Sequence, residues 1–249
     1  MAPPKRKPNM TLLDSFPHGS KGRTRRNGLP PAPRSDADLN ELWKLAERLD
    51  GRPLPGVRAG EEEFEAWTDQ TFHAEWIDGE VILLSPSNIP HIKLNVWLCR
   101  LIEEIAESGD GGTTLFEPQV RLARVKQRRN PDVVYVAPAH ESIIKETHID
   151  GAPDLVMEIV SPDSQSRDWR EKYAAYEQGG VREYWVIDTQ SRRVEAYTLS
   201  RAGKFNLIPE NEGVIQSKVL RKLCLQPQWL WKSPLPRIAE VAKELGLRR

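Results

Sequence analysis

Residues 155–160 read Leu155-Val156-Met157-Glu158-Ile159-Val160. The run is as apolar as a strand buried on both faces, yet a carboxylate interrupts it. Burying a lone carboxylate is costly unless something pairs with it. Glu158 is therefore either half of a buried ion pair or part of a site. A helical segment at 168–178 follows and ends at Gly179-Gly180, a C-cap signal. Residues 182–188 then read as a further strand, with 193–199 as its hairpin partner.

Working upstream, Asp132 opens a second apolar run, Val133-Val134-Tyr135-Val136, directly after Pro131. Alone, Asp132 reads as a turn or capping acid at a strand start. Together with Glu158 it reads as a site, because two carboxylates on adjacent strands can share an oxygen-seeking cation such as Mg²⁺. Lys172 falls on the first turns of the helix after Glu158, four residues beyond Asp168. That spacing fits an i,i+4 surface salt bridge, or a lysine turned toward the sheet edge to meet substrate or an attacking water. Ser161 to Ser164 are explained by capping.

Further out, residues 36–49 carry Leu39, Leu42, Trp43, Ala46 and Leu49 at helical spacing, and a Gly- and Pro-rich turn follows. Residues 61–68 suit a short helix with acids in its first turn. Residues 74–84 suit two strands around Asp78-Gly79, and 91–106 an amphipathic helix. Residues 113–122 read as one strand, 205–209 as a short one and 236–245 as a tail helix. The order of helix, three strands, helix and strand predicts an α/β core with a mixed β-sheet flanked by helices.

The 249 residues are 39% apolar and 29% charged, enough for a real core. No apolar run approaches the ~18 to 20 residues that span a bilayer, so no membrane partner is expected. Cys99 and Cys224 form no CxxC pair, which argues against a disulfide scaffold and for a reducing cytoplasm. The net charge of zero is a cancellation. Residues 1–34 hold eight basic residues against Asp14, a charge of +7, so residues 35–249 carry −7. The Pro-rich arm reads as disordered, and is either a solubilising tail or a grip on phosphate backbones. The expected organisation is this arm (1–34), an appended helix and linker (35–55), a main domain (56–233) and a C-terminal helix (234–249).

Several blocks in order carry a resemblance. They are Glu75 with Asp78-Gly79-Glu80, Ser85-Pro86 and His91, then Pro131-Asp132, then Gly151 through Pro162, then Asp168, Lys172, Tyr173 and Tyr176 through Asp188. Over roughly residues 56–231 the chain resembles the Uma-two family, classed with restriction endonucleases of the PD-(D/E)-x-K superfamily. The resemblance implies a restriction-endonuclease-like fold and Mg²⁺-dependent (or Mn²⁺-dependent) hydrolysis of DNA phosphodiester bonds. It implies Asp132 and Glu158 as catalytic acids and metal ligands, Lys172 as the catalytic amine and Glu75 as a supporting acid. Dimerisation, common among such folds, is a further expectation.

One position departs from the superfamily. A lysine often stands two residues after the second acid, on the same strand face, and here that residue is Val160. A non-cleaving nucleic-acid-binding module is therefore the rival reading, and a metal-dependent hydrolase of a non-nucleic substrate a third. His91 and Gln119 are candidate substrate contacts, as is the basic cluster containing Arg121, Arg128 and Arg129. A solvated hairpin tip explains that cluster equally well. Tyr173, Tyr176, Tyr184 and Trp185 are read as core rather than as base-stacking groups.

Overall fold

The alternation of side chains along residues 155–160 divides the core in two. Leu155, Met157 and Ile159 enter one apolar cluster, and Val156 and Val160 the other, as a period of two requires. The computed structural model describes Leu29 and residues 35–49, 51–68, 73–160 and 167–247. Apart from Leu29, the basic arm lies outside the described residues, as does the turn at Ser161 to Ser164.

The elements run α1 (Asp36–Leu49), α2 (Glu61–Trp67), β1 (Ala74–Ile77), β2 (Glu80–Leu83), α3 (Ile89–Ile105), β3 (Thr113–Phe116), β4 (Val120–Leu122), β5 (Gln127–Arg129), β6 (Val133–Val136), β7 (Ile149–Asp150) and β8 (Leu155–Val160). There follow α4 (Arg167–Gly179), β9 (Glu183–Asp188), β10 (Arg193–Leu199), β11 (Phe205–Ile208), β12 (Glu210–Asn211), β13 (Val214–Gln216), β14 (Cys224–Leu225), α5 (Pro227–Leu230) and α6 (Ile238–Glu244).

The main sheet has the order β11-β10-β9-β8-β6-β3. Its central pair, β8 and β9, is parallel with α4 as the connection, while β6 runs antiparallel to β8. This is the mixed sheet flanked by helices that the element order predicts. One face carries α3, through Leu98, Leu101, Ile102 and Ile105 packed with Met157 and Trp185. The other carries Tyr176 of α4 with Val134, Val156 and Tyr184. The tyrosines read as core are core: Tyr173 meets Tyr197 edge-on at 5.0 Å, and Tyr176 lies 5.0 Å from Tyr184.

A second sheet, β2-β1-β5-β4-β7, stands beside the first. The N-terminal helix lays Leu42, Leu45, Ala46 and Leu49 into one cluster with Trp76, Val81 and Leu83 of its hairpin. The small sheet β12-β13-β14 completes the set. Among the described residues, no helix is long and apolar enough to cross a membrane.

Two local departures from the sequence expectation matter for the site. The single strand expected over 113–122 is two strands, β3 in the main sheet and β4 in the second. Glu117 adopts left-handed backbone (φ 45°) and Pro118 lacks an amide donor, so the ladder breaks there. The helix expected from residue 91 starts at Ile89, because the Asn88 side chain accepts from the His91 amide at 3.0 Å, a standard N-cap. His91 is thereby held in the first turn of α3.

Candidate functional site

β6 pairs with β8 through Val133↔Met157, and continuing that register by one residue sets Asp132 opposite Glu158. Asp132 is buried. Its Oδ2 accepts a hydrogen bond from the Ile159 amide at 2.6 Å, and its Oδ1 lies 2.8 Å from His91 Nε2. One helical turn beyond His91, the buried Asn95 donates from Nδ2 to Glu117 Oε1 at 3.2 Å. The Glu117 amide in turn donates to the Asp132 carbonyl at 3.0 Å.

His91, Glu117 and Asp132 therefore each offer a ligand atom, all within 4.8 Å of one another. One imidazole nitrogen and two carboxylate oxygens form a donor set that could hold a divalent metal ion. The electrostatics agree. Burial disfavours the His91 imidazolium, but the bonded Asp132 carboxylate, with Glu117 and Glu158 beyond it, outweighs burial and moves its pKa up. Burial, followed by the charge of Asp132, moves the Glu117 carboxyl up as well. The pocket thus favours positive charge. Asp132 and Glu117 line a cavity of ≈ 370 Å³ together with Asn130, His73 and Ser85 to Ser87.

Glu158 does not join that three-ligand group. Its Oε2 accepts from Lys172 Nζ at 2.9 Å and its Oε1 from the Tyr176 hydroxyl at 2.6 Å. Lys172 and Tyr176, four residues apart, share one face of α4, so a single helix face presents both donors to the carboxylate. Burial and then the Glu158 charge push the Tyr176 hydroxyl well up, which keeps it a donor. Lys172 is thus turned onto β8, in the middle of the main sheet. The Asp168 side chain, the alternative partner, lies outside the described residues.

Removing the Tyr176 donor tests its part in holding Glu158. Tyr176→Phe is expected to lower stability by about 1–3 kcal/mol, because the buried Glu158 Oε1 then loses its hydroxyl donor. Urea unfolding reads that loss, and a variant as stable as wild type would return Tyr176 to a purely packing role.

Glu75 is buried on β1 rather than solvent-facing. It accepts from Arg129 Nη1 at 2.6 Å and from the Asn130 amide at 3.2 Å, two residues before Asp132. The arginines that the sequence offers either as phosphate contacts or as a solvated hairpin tip are engaged in ion pairs within the chain. Arg121 is paired with Glu61 and Asp150, and Arg128 with Glu61 and Glu65. Gln119 is likewise taken up, by Arg128 Nη1 at 2.8 Å. The physical reason is that the acidic first turn of α2 faces the β4–β5 pair. The guanidiniums spend their donors there, and Arg128 and Arg129 are buried.

Three groups escaped the sequence reading. Glu117 carried no local signal, because its meeting with Asp132 depends on the β3–β6 pairing. Asn95 was hidden inside an apolar helix, although its i+4 spacing from His91 was visible. The spacing of Tyr176 reports a core ring but carries no sign of the hydroxyl bond to Glu158.

A family model described as "putative restriction endonuclease", Uma2, matches residues 61–227. Among solved structures, one described as "a putative nuclease belonging to DUF820" from Anabaena variabilis ATCC 29413 superposes with a TM-score of 0.57 at 18% identity. That match covers 68% of this chain and 96% of the other. Among curated proteins, none matches the chain significantly.

Proposed function

Because the chain belongs to the Uma2 family and has a nuclease-like fold, we propose that it is a metal-dependent endonuclease that hydrolyses phosphodiester bonds in DNA. The observation that carries this reading is the meeting of His91, Glu117 and Asp132 within 4.8 Å, beside the Glu158–Lys172 pair. Asp132 would hold the cation together with Glu117 and His91. The imidazole disfavours Mg²⁺, which takes oxygen ligands, relative to a divalent transition-metal ion, and the two carboxylates suit Mn²⁺ as well as Mg²⁺.

A bound divalent cation supplies charge neutralisation at the phosphate and a more acidic water. The protein supplies the rest. Asp132 is fixed by the Ile159 amide, so its oxygens do not have to reorganise as the reaction proceeds. Glu158 receives the proton of the attacking water. Lys172, bonded to that carboxylate at 2.9 Å, stabilises charge building on the phosphate. Glu75 acts through the Asn130 amide as a positioning residue for the segment that delivers Asp132.

The test is incubation of plasmid and single-stranded DNA with the protein and Mn²⁺ or Mg²⁺. Cutting that stops on chelation is the expected result, and no metal-dependent cutting would overturn the reading. Val160, standing where the superfamily often has its lysine, favours a second reading: a nuclease fold that binds nucleic acid without cleaving it. Metal-independent DNA binding with no cutting by any cation would select that alternative.

A further inference from the structure

A groove lined largely by apolar side chains includes His91 and Ile159, both in contact with Asp132. Its volume is ≈ 1000 Å³. One wall is α3, which presents the exposed Lys93, Val96 and Arg100 above the buried Trp97. The opposite wall is the segment from Leu230 to Leu235, held to α3 by a 2.7 Å hydrogen bond from Trp97 Nε1 to the Pro236 carbonyl. One end is closed by His91 and Ile159, the two residues whose atoms engage Asp132.

The lining contains four exposed cations, Lys93, Arg100, Arg192 and Lys232, and no carboxylate. This is notable on a body whose net charge is −7. Among the described residues none of the four has an ion-pair partner, in contrast to Arg121, Arg128 and Arg129. Lys93 and Arg100 are separated by two helical turns, about 10.5 Å along the axis of α3. The floor between the cations is apolar and includes the half-buried Trp231.

We infer that this groove is the track of a single nucleic-acid strand, which it delivers to Asp132. The inference rests on the nuclease reading and adds the form of the substrate and the surface that holds it. A duplex turns phosphates outward and keeps its bases stacked inside, so an apolar floor would gain nothing from it. A single strand can set phosphates against the four cations and lay a base on Trp231, the pairing of charge and stacking that such strands use.

The test reads binding without cleavage: fluorescence anisotropy of a labelled single-stranded oligodeoxynucleotide and its duplex, with the full chain in EDTA. One variant combines Lys93→Glu with Arg100→Glu, another Arg192→Glu with Lys232→Glu. Each is expected to weaken single-strand binding on the order of 10-fold or more, and to reduce the salt slope by about 0.7 per cation removed. Trp231→Ala should weaken it on the order of 10-fold with the slope unchanged. Should the reversals perturb folding, Lys→Gln and Arg→Gln at the same four positions give the same readout.

Unchanged affinity and slope in the charge variants would overturn the groove while leaving a metal-dependent nuclease standing. Equal or tighter duplex binding would overturn the single-strand assignment. Absence of wild-type binding to either form, together with absence of cutting, would remove the nuclease reading itself. Groove-dependent binding without cutting would keep the track and remove only catalysis.

Discussion

Asp132→Ala is expected to lower metal-dependent DNA cleavage by about 10³-fold or more, and to abolish high-affinity Mn²⁺ binding measured by calorimetry. Asp132 is shared by every contact that builds the pocket. It meets His91 Nε2 at 2.8 Å, the Ile159 amide at 2.6 Å and, through its carbonyl, the Glu117 amide. Its loss removes one of three candidate ligands and the side-chain partner of His91, while the backbone bond to Glu117 and the Asn95–Glu117 bond remain. The buried Ile159 amide also loses its acceptor, a cost of about 1–3 kcal/mol in stability. Asp132→Asn controls for that, because its side-chain oxygen can still accept from the amide. Both variants should fail to cut, and the asparagine variant should melt closer to wild type. Cutting by purified Asp132→Ala at the wild-type rate would assign the activity elsewhere, whatever the family.

Glu75→Ala carries the second large effect, on stability. Continuing the β1–β5 register beyond Trp76↔Arg128 sets Glu75 opposite Arg129, and their side chains are only 3% and 2% exposed. Removing one member of a buried pair leaves the other charge poorly compensated, which costs about 3–5 kcal/mol. Urea unfolding should register that loss. Replacing the pair together, with Glu75→Leu and Arg129→Met, should cost far less, because two buried charges are then removed at once. A single variant as stable as wild type would show that the pair contributes nothing.

The same pair predicts a pH dependence of definite sign. Burial opposes ionisation of Glu75, but the Arg129 charge, then Lys172, and hydrogen bonds from Arg129 and the Asn130 amide outweigh it and hold the carboxyl below its ordinary value of 4.5. A folded-state pKa below the unfolded one means the unfolded chain binds the proton more readily. The contribution is therefore fully present above about pH 4.5 and is lost as pH falls through the lower folded-state value. In Glu75→Gln that component is absent, so the acid-side fall in stability should be shallower.

The sequence was enough to determine the strand 155–160, the helix after it and the apolar run behind Asp132, and to single out Asp132, Glu158 and Lys172 as candidates. Each rests on a pattern of period 2 or 3.6, or on a charge set inside an apolar run, and such signals are local. The family resemblance was legible for the same reason, as blocks of residues in order. What the tertiary structure alone decided is which charges meet. Arg121 and Arg128 were candidate phosphate contacts until the packing of α2 supplied Glu61 and Glu65, and Arg129 until the pairing of β1 with β5 supplied Glu75. Glu117 entered the pocket only through the break between β3 and β4 and the pairing of β3 with β6. Lys93 and Arg100 of α3 lie far in the chain from Arg192 and Lys232, and the four line one groove only when the C-terminal segment docks on α3. Periodicity reports which face of an element is buried, whereas the partner of a charge is set by strand register and helix docking, which no local pattern encodes.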